Sequence, residues 1–251
     1  MQMAVRASGF RDLASAAWIN VRLALYQLQA GWTSEASNCI ATVLALQPEY
    51  APALLVHGQA LLAEGKNREA LTALQRAAQL NPLPEYQWAL IEALRLADRL
   101  NEAQTVERQL IERDAAADRR TFALYLVSTG QEIKTALRLA QEELKVRADV
   151  FTLDALTWAL QAAGRPQEAR TYSLRALSEG TQDARLFYHA GVIAALVGQK
   201  EEAARWFAQA AAIRQMLLPS EREHLAKGSA QLTSAETTLA SSQSKRQETL
   251  K

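Results

Sequence analysis

The feature that most limits what this chain can fold into is a self-similar period of about 33 residues. Gly31, Gly65, Asp98, Gly130, Gly164 and Gly198 each close one Ala/Leu-rich stretch and precede another, at separations of 34, 33, 32, 34 and 34 residues. A period of this length signals stacked supersecondary units, none of which can bury its apolar side alone. Glycine reaches positive φ without a Cβ clash, so each mark reads as the turn that ends one helix and starts its hairpin partner, with Asp98 a tolerated substitute. Composition agrees, since 49% of residues are hydrophobic but only 6% aromatic, and the excess is Ala and Leu, the strongest helix formers. The spacing predicts an all-α chain of six helical hairpins, over 17–50, 51–83, 84–115, 116–149, 150–183 and 184–217.

The second unit, APALLVHGQALLAEGKNREALTALQRAAQLNP from Ala51 to Pro82, resembles a tetratricopeptide repeat. Gly58 stands at the small-residue place of the first helix and Leu61 three residues on, and Ala70, Leu74, Ala77 and Pro82 follow in order. The sixth unit repeats this with Phe187, Gly191, Ala203, Phe207 and Ala210, and the fifth with Leu153, Leu156, Leu160, Ala169 and Ala176. The first offers Leu23, Ala24, Ala36, Ile40, Val43 and Pro48. The resemblance covers about 17–217 and implies a right-handed α-solenoid of tetratricopeptide type. Two units depart from the pattern. Unit three has Ile91 where a small residue belongs and Glu107 where an aromatic or Leu belongs, and unit four presents Thr135 then Ala136, as if its second helix were offset by one residue.

A stack must cover its end faces. Pro219-Ser220-Glu221 reads as a helix start with Glu223 completing a capping box on Ser220, so 218–228 is expected to be a capping helix with Leu225 on the last hairpin. Residues 229–251 are rich in Ser, Thr and Gln and are expected to form a disordered or frayed tail, although Leu232 and Leu239 sit seven apart. At the front, 1–16 is expected to extend the first helix. No N-terminal cap is evident, which suggests a preceding hairpin or an end used for assembly.

The charge balance, 28 Lys plus Arg against 27 Asp plus Glu, gives no footprint for nucleic acid or an anionic membrane. No apolar run reaches the roughly 20 residues of a membrane span. The default compartment is the cytoplasm, and a removed signal or anchor would make it periplasmic or membrane-associated. Chemistry is hard to assemble. His57 reads as a core or boundary histidine, Cys39 as a small buried hydrophobe, and Glu221 with His224, which could share a metal, as the solvated face of the capping helix. No Gly-rich phosphate loop is present. Neither a cofactor nor a metal nor catalysis is expected.

The resemblance implies that first helices line a concave groove holding a peptide or partner segment. Projected onto this chain, the groove set is Trp88, Glu92 and Arg95, then Arg120 and Leu124, then Asp154, Trp158 and Gln161, then Arg185, Tyr188 and His189. Aromatics beside arginines are the usual composition of binding hot spots; packing within the array is the competing role for Trp88 and Trp158. Val21, Leu25, Leu55 and Gln59 occupy the places where relatives that clamp a chaperone's terminal carboxylate carry Lys, Asn and Arg, so no such clamp is expected. The leading expectation is a protein-interaction scaffold. The alternatives are a ligand- or peptide-sensing module and an assembly subunit using an array end. Units five and six also resemble the closing repeats of many bacterial tetratricopeptide proteins.

Overall fold

The computed structural model describes residues 13–112 and 118–248, with side chains to residue 233. Among them are thirteen α-helices and no strand. The six hairpins are α1 (Leu13–Gln29) with α2 (Thr33–Leu46), α3 (Ala51–Ala63) with α4 (Asn67–Leu80), α5 (Pro84–Leu96) with α6 (Leu100–Glu112), α7 (Arg119–Ser128) with α8 (Ile133–Val146), α9 (Val150–Ala162) with α10 (Pro166–Leu177), and α11 (Ala184–Leu196) with α12 (Lys200–Ala212). A 3₁₀ turn, Arg214–Met216, leads into α13 (Pro219–Glu248). Each hairpin packs onto its successor, and each first helix also touches the next first helix. No helix among the described residues is long and apolar enough to cross a membrane.

The six punctuation residues all adopt positive φ, including Asp98 at 57°. At Gly65 the chain reverses while the Lys66 amide donates to the Leu61 carbonyl at 2.9 Å, satisfying a carbonyl that the helix end would leave orphaned. Three first helices are started by aspartate: Asp118, Asp149 and Asp183 accept from backbone N–H groups of Thr121, Thr152 and Leu186 at 2.9–3.1 Å.

Hairpins close on small-into-large contacts. A Cβ on Gly58 would stand 2.4 Å from Leu74 Cγ, and one on Gly191 would stand 2.4 Å from Phe207 Cδ1. Unit three fills the two corresponding places with other residues. Ile91 is fully buried, and Glu107 accepts from the Tyr125 hydroxyl at 2.7 Å and Gln131 Nε2 at 2.9 Å, with Arg95 3.3 Å away. Burial and this bond push the Tyr125 phenol well above its ordinary range. The offset in unit four is one extra turn residue. Glu132 takes φ 45° and starts α8 one place late, so Ala136, fully buried, occupies the place that Thr135 would otherwise take.

The C-terminal region departs from expectation. Helix α13 runs on to Glu248 instead of ending at Gly228. Its start is capped differently too: the Glu221 carboxylate reaches back to the Leu218 N–H at 2.9 Å, whereas Glu223 pairs with Lys227 at 2.6 Å. Residues 1–12 lie outside the described part, as do 249–251, so the expected N-terminal extension is described only from Leu13 onward.

Candidate functional site

The extent of burial separates the helices. In α12, three of thirteen residues are buried, as expected of an amphipathic outer helix; in α5, ten of thirteen are. A helix buried all round has protein on every side, and what covers the concave side of the first helices is the chain's own C-terminal segment.

The superhelix curls until its ends meet. Gln29, closing α1, hydrogen-bonds the Gln182 carbonyl before α11, and Gln215 Nε2 donates to the Leu28 carbonyl at 2.7 Å. Into the enclosed concavity the segment Leu217–Leu225 inserts Leu217, Leu218 and Leu225, each 5% exposed or less. Between these apolar contacts lies a polar head. Ser220 donates its amide to Glu92 at 3.0 Å and its hydroxyl at 2.9 Å. Arg185 grips Glu221 through Nε at 2.5 Å and a terminal nitrogen at 3.1 Å. Arg222 donates to the Leu62 carbonyl at 3.1 Å. Helices α3, α5 and α11 thus hold one short segment.

The expected groove residues fall into three groups. Trp88, Glu92, Asp154, Tyr188 and His189 are buried and converge on the segment or on one another. The Arg185 guanidinium lies 4.9 Å from the Trp88 ring centroid, and Trp88 packs edge-on against Tyr125. His189 Nδ1 lies 2.9 and 3.0 Å from the two Asp154 oxygens, under Trp158, whose ring stacks 3.9 Å from it. Both tryptophans are buried, Trp88 at 2% and Trp158 at 7% exposure, and Leu124 is 5% exposed. Arg95, its side chain 40% exposed, pairs with Glu107 of α6, Arg120, 25% exposed, pairs with Asp149, and Gln161 is half-buried.

The charges of the seat are shaped by burial. Glu92 is pushed above the ordinary carboxylate range by desolvation, against the pull of its two Ser220 bonds. Desolvation acts on Glu221 in the same direction, but the Arg185 contact outweighs it and holds the carboxyl below the usual range. Burial raises the Tyr188 phenol and the Asp183 carboxyl. Glu221 was expected on a solvated face and is instead 2% exposed, because the helix start turns inward; His224 is exposed.

Solvent still reaches the N-terminal ends of the first helices. Glu85 is exposed, and its carboxyl is pushed up by desolvation and by Asp118, against the pull of Arg185, Arg120 and Arg22. Arg22 on α1, Glu85 on α5 and Arg120 on α7, none of them buried, make up the mouth of this end. Trp18, 55% exposed, has Arg22 5.7 Å from its ring, and Phe151, 46% exposed, has Arg120 at 5.6 Å. Arg120 also stands 3.6 Å from Asp149. The opposite end holds a small cleft beside Arg214, Gln215 and Arg222. Among the described residues no group of three or more His, Cys, Asp or Glu could hold a metal, and the Asp154–His189 pair is at most 4% exposed. Cys39 is half-buried, and burial raises its thiol.

No protein-family model matches the sequence, and no curated protein matches it. Among solved structures the chain is similar to a tetratricopeptide repeat protein from Parabacteroides merdae, at 16% identity over 92% of this chain and 89% of that one, with a TM-score of 0.51. It is also similar to human IFIT1, solved as a dimer with PPP-AAAA, at 15% identity over 71% of this chain and 46% of that one, with a TM-score of 0.50.

Proposed function

We propose that this chain, whose fold is that of a tetratricopeptide-repeat solenoid, is a non-enzymatic interaction scaffold that receives a partner polypeptide segment on its concave face. One observation carries the reading: that face already binds a polypeptide segment, its own, through the side chains of Glu92 on α5 and Arg185 on α11 and the Leu62 backbone carbonyl at the end of α3. The half filled by α13 is closed to other molecules while the segment is in place. A partner therefore enters at the mouth, where Trp18, Arg22, Glu85, Arg120 and Phe151 are within reach of solvent. Exposed aromatics paired with arginines offer apolar area with little loss of side-chain freedom, together with donors for carboxylates and backbone carbonyls.

Selection from a random peptide library on the full chain tests this. Enriched sequences should lose at least tenfold in affinity on Arg120→Glu with Phe151→Ala while far-UV circular dichroism is unchanged. Equal binding to the double variant, or no enrichment at all, refutes the reading.

A further inference from the structure

The seat that holds α13 has the construction of a recognition site. A segment serving only to fill the concavity would do so best with apolar side chains, because a buried ion pair is often no more stable than well-packed hydrophobic residues of the same volume. Here the apolar contacts of Leu217, Leu218 and Leu225 flank a head that is read residue by residue. Glu92 accepts two hydrogen bonds from Ser220, Arg185 clamps Glu221 with two, and the Leu62 carbonyl takes one from Arg222. The read elements are a leucine pair, a proline at the first helical position and a glutamate three residues after the second leucine. The seat is also electrostatically uneven: Glu92, Asp154 and Glu221 are all 4% exposed or less, Arg185 pairs with Glu221, His189 with Asp154 and Arg95 stands 4.0 Å from Glu92, and the Glu221 charge raises the cost of ionising Glu92. An occupant held by such a head is specific without being maximally tight.

We infer that this seat is a docking site for helix starts of the form Leu-Leu-Pro-Ser-Glu-Arg, that α13 occupies it in cis, and that a partner segment of the same chemistry takes its place. The inference rests on the reading that the concave face binds polypeptide, and it concerns the closed half, not the mouth. The occupant is a helix N-terminus with two adjacent leucines ahead of a carboxylate. Arg185 supplies the carboxylate fork, Glu92 the acceptor for a hydroxyl and an exposed first-turn amide, and the apolar walls the adhesion.

The test uses the full chain and a fluorescein-labelled peptide with the sequence of residues 213–228. In Glu221→Ala, which loosens the cis segment, the peptide is expected to bind at least tenfold more tightly than to the wild type. Hydrogen exchange at residues 217–225 should accelerate in parallel. A peptide carrying Ala in place of its glutamate should lose at least tenfold, as should Arg185→Met added to the Glu221→Ala chain. Arg120→Glu, which disables the mouth, should leave this binding unchanged, so that failure here is separable from failure of the mouth reading. Equal binding to wild type and Glu221→Ala, or indifference to the peptide's glutamate, overturns the inference. So does continued protection of residues 217–225 without peptide binding in both Glu221→Ala and Leu218→Asp with Glu221→Ala, as does loss of helicity in both, since the segment would then be an inseparable part of the core. A dimer that excludes the peptide would make a second copy the occupant and overturn it as well.

Discussion

Replacing Arg185 with Met removes the positive charge from the centre of the molecule while keeping most of its aliphatic volume. The wild-type side chain makes two bonds to Glu221 and covers the Trp88 ring. Without it, the Glu221 carboxylate, whose side chain is 3% exposed, keeps only the Leu218 N–H at 2.9 Å. Breaking one partner out of a buried pair costs about 3–5 kcal/mol, and the lost contact with Trp88 adds up to about 1 kcal/mol. Arg185 itself retains 28% exposure, so water partly screens the pair and the expected loss lies near the lower end, about 3 kcal/mol. At a urea slope of roughly 2–3 kcal/mol per molar, this lowers the unfolding midpoint by about 1–1.5 M. Adding Glu221→Leu removes the orphaned charge and should restore most of the loss. Tryptophan fluorescence and far-UV circular dichroism in urea measure both variants. A single variant within about 1 kcal/mol of wild type, or a double variant as unstable as the single, would show that the pair does not hold the segment.

Four further outcomes follow from the same geometry. Gly58→Ala drives a methyl against Leu74 and should cost about 1–3 kcal/mol, with much of it recovered when Leu74 is shortened to Val; coupling near zero in that thermal double-mutant cycle would refute the contact. The folded-state pKa of Glu92 is raised, so its contribution to stability is greatest below the ordinary carboxylate range and is lost as pH rises through the folded value. Glu92→Gln should therefore flatten the fall in urea midpoint between acidic and neutral pH, and an unchanged profile would count against the assignment. Glu221 has the opposite sign: its lowered value stabilises at neutral pH and is lost as pH falls, a slope that Glu221→Gln should remove. Tyr125→Phe deletes the hydroxyl bond to Glu107 and should cost about 1 kcal/mol by thermal melting, with Gln131 and Arg95 still serving the carboxylate.

The period, the hairpins and most of their contacts were legible because they are local. A small residue at Gly58 and a large one at Leu74 announce one interface wherever the rest of the chain goes, and the doubling of turn residues before α8 could be read from the displaced Ala136. The concave occupant was not legible in that way. Whether residue 29 meets residue 182 depends on a small rotation between successive hairpins, accumulated over six units, and no short window of sequence encodes that sum. Its trace lies in helix composition. Trp88, Leu90, Ile91 and Leu94 lie on more than one face of α5, which an open groove lined by solvent would not favour. Glu221 misled for a related reason: an acidic residue in the first turn of a helix is ordinarily solvated, and only the Arg185 carried round by the superhelix makes its burial affordable.

That closure also changes how the array should respond to damage. In an open solenoid each hairpin answers chiefly to its neighbours, whereas here α1 is bonded to the turns before α11 and α13, and α5 to α13. The polar head adds register to that closure. Sliding the segment by one residue in one direction would set Arg222 against Arg185, and in the other would leave Arg185 facing Ser220 with its charge unmatched. Leucines alone would tolerate either slip, since adhesion has no direction. The carboxylate and the hydroxyl therefore decide where α13 starts, and the leucines decide that it stays. An array built this way ties the shape of its concave face to one sequence-specific contact within the chain.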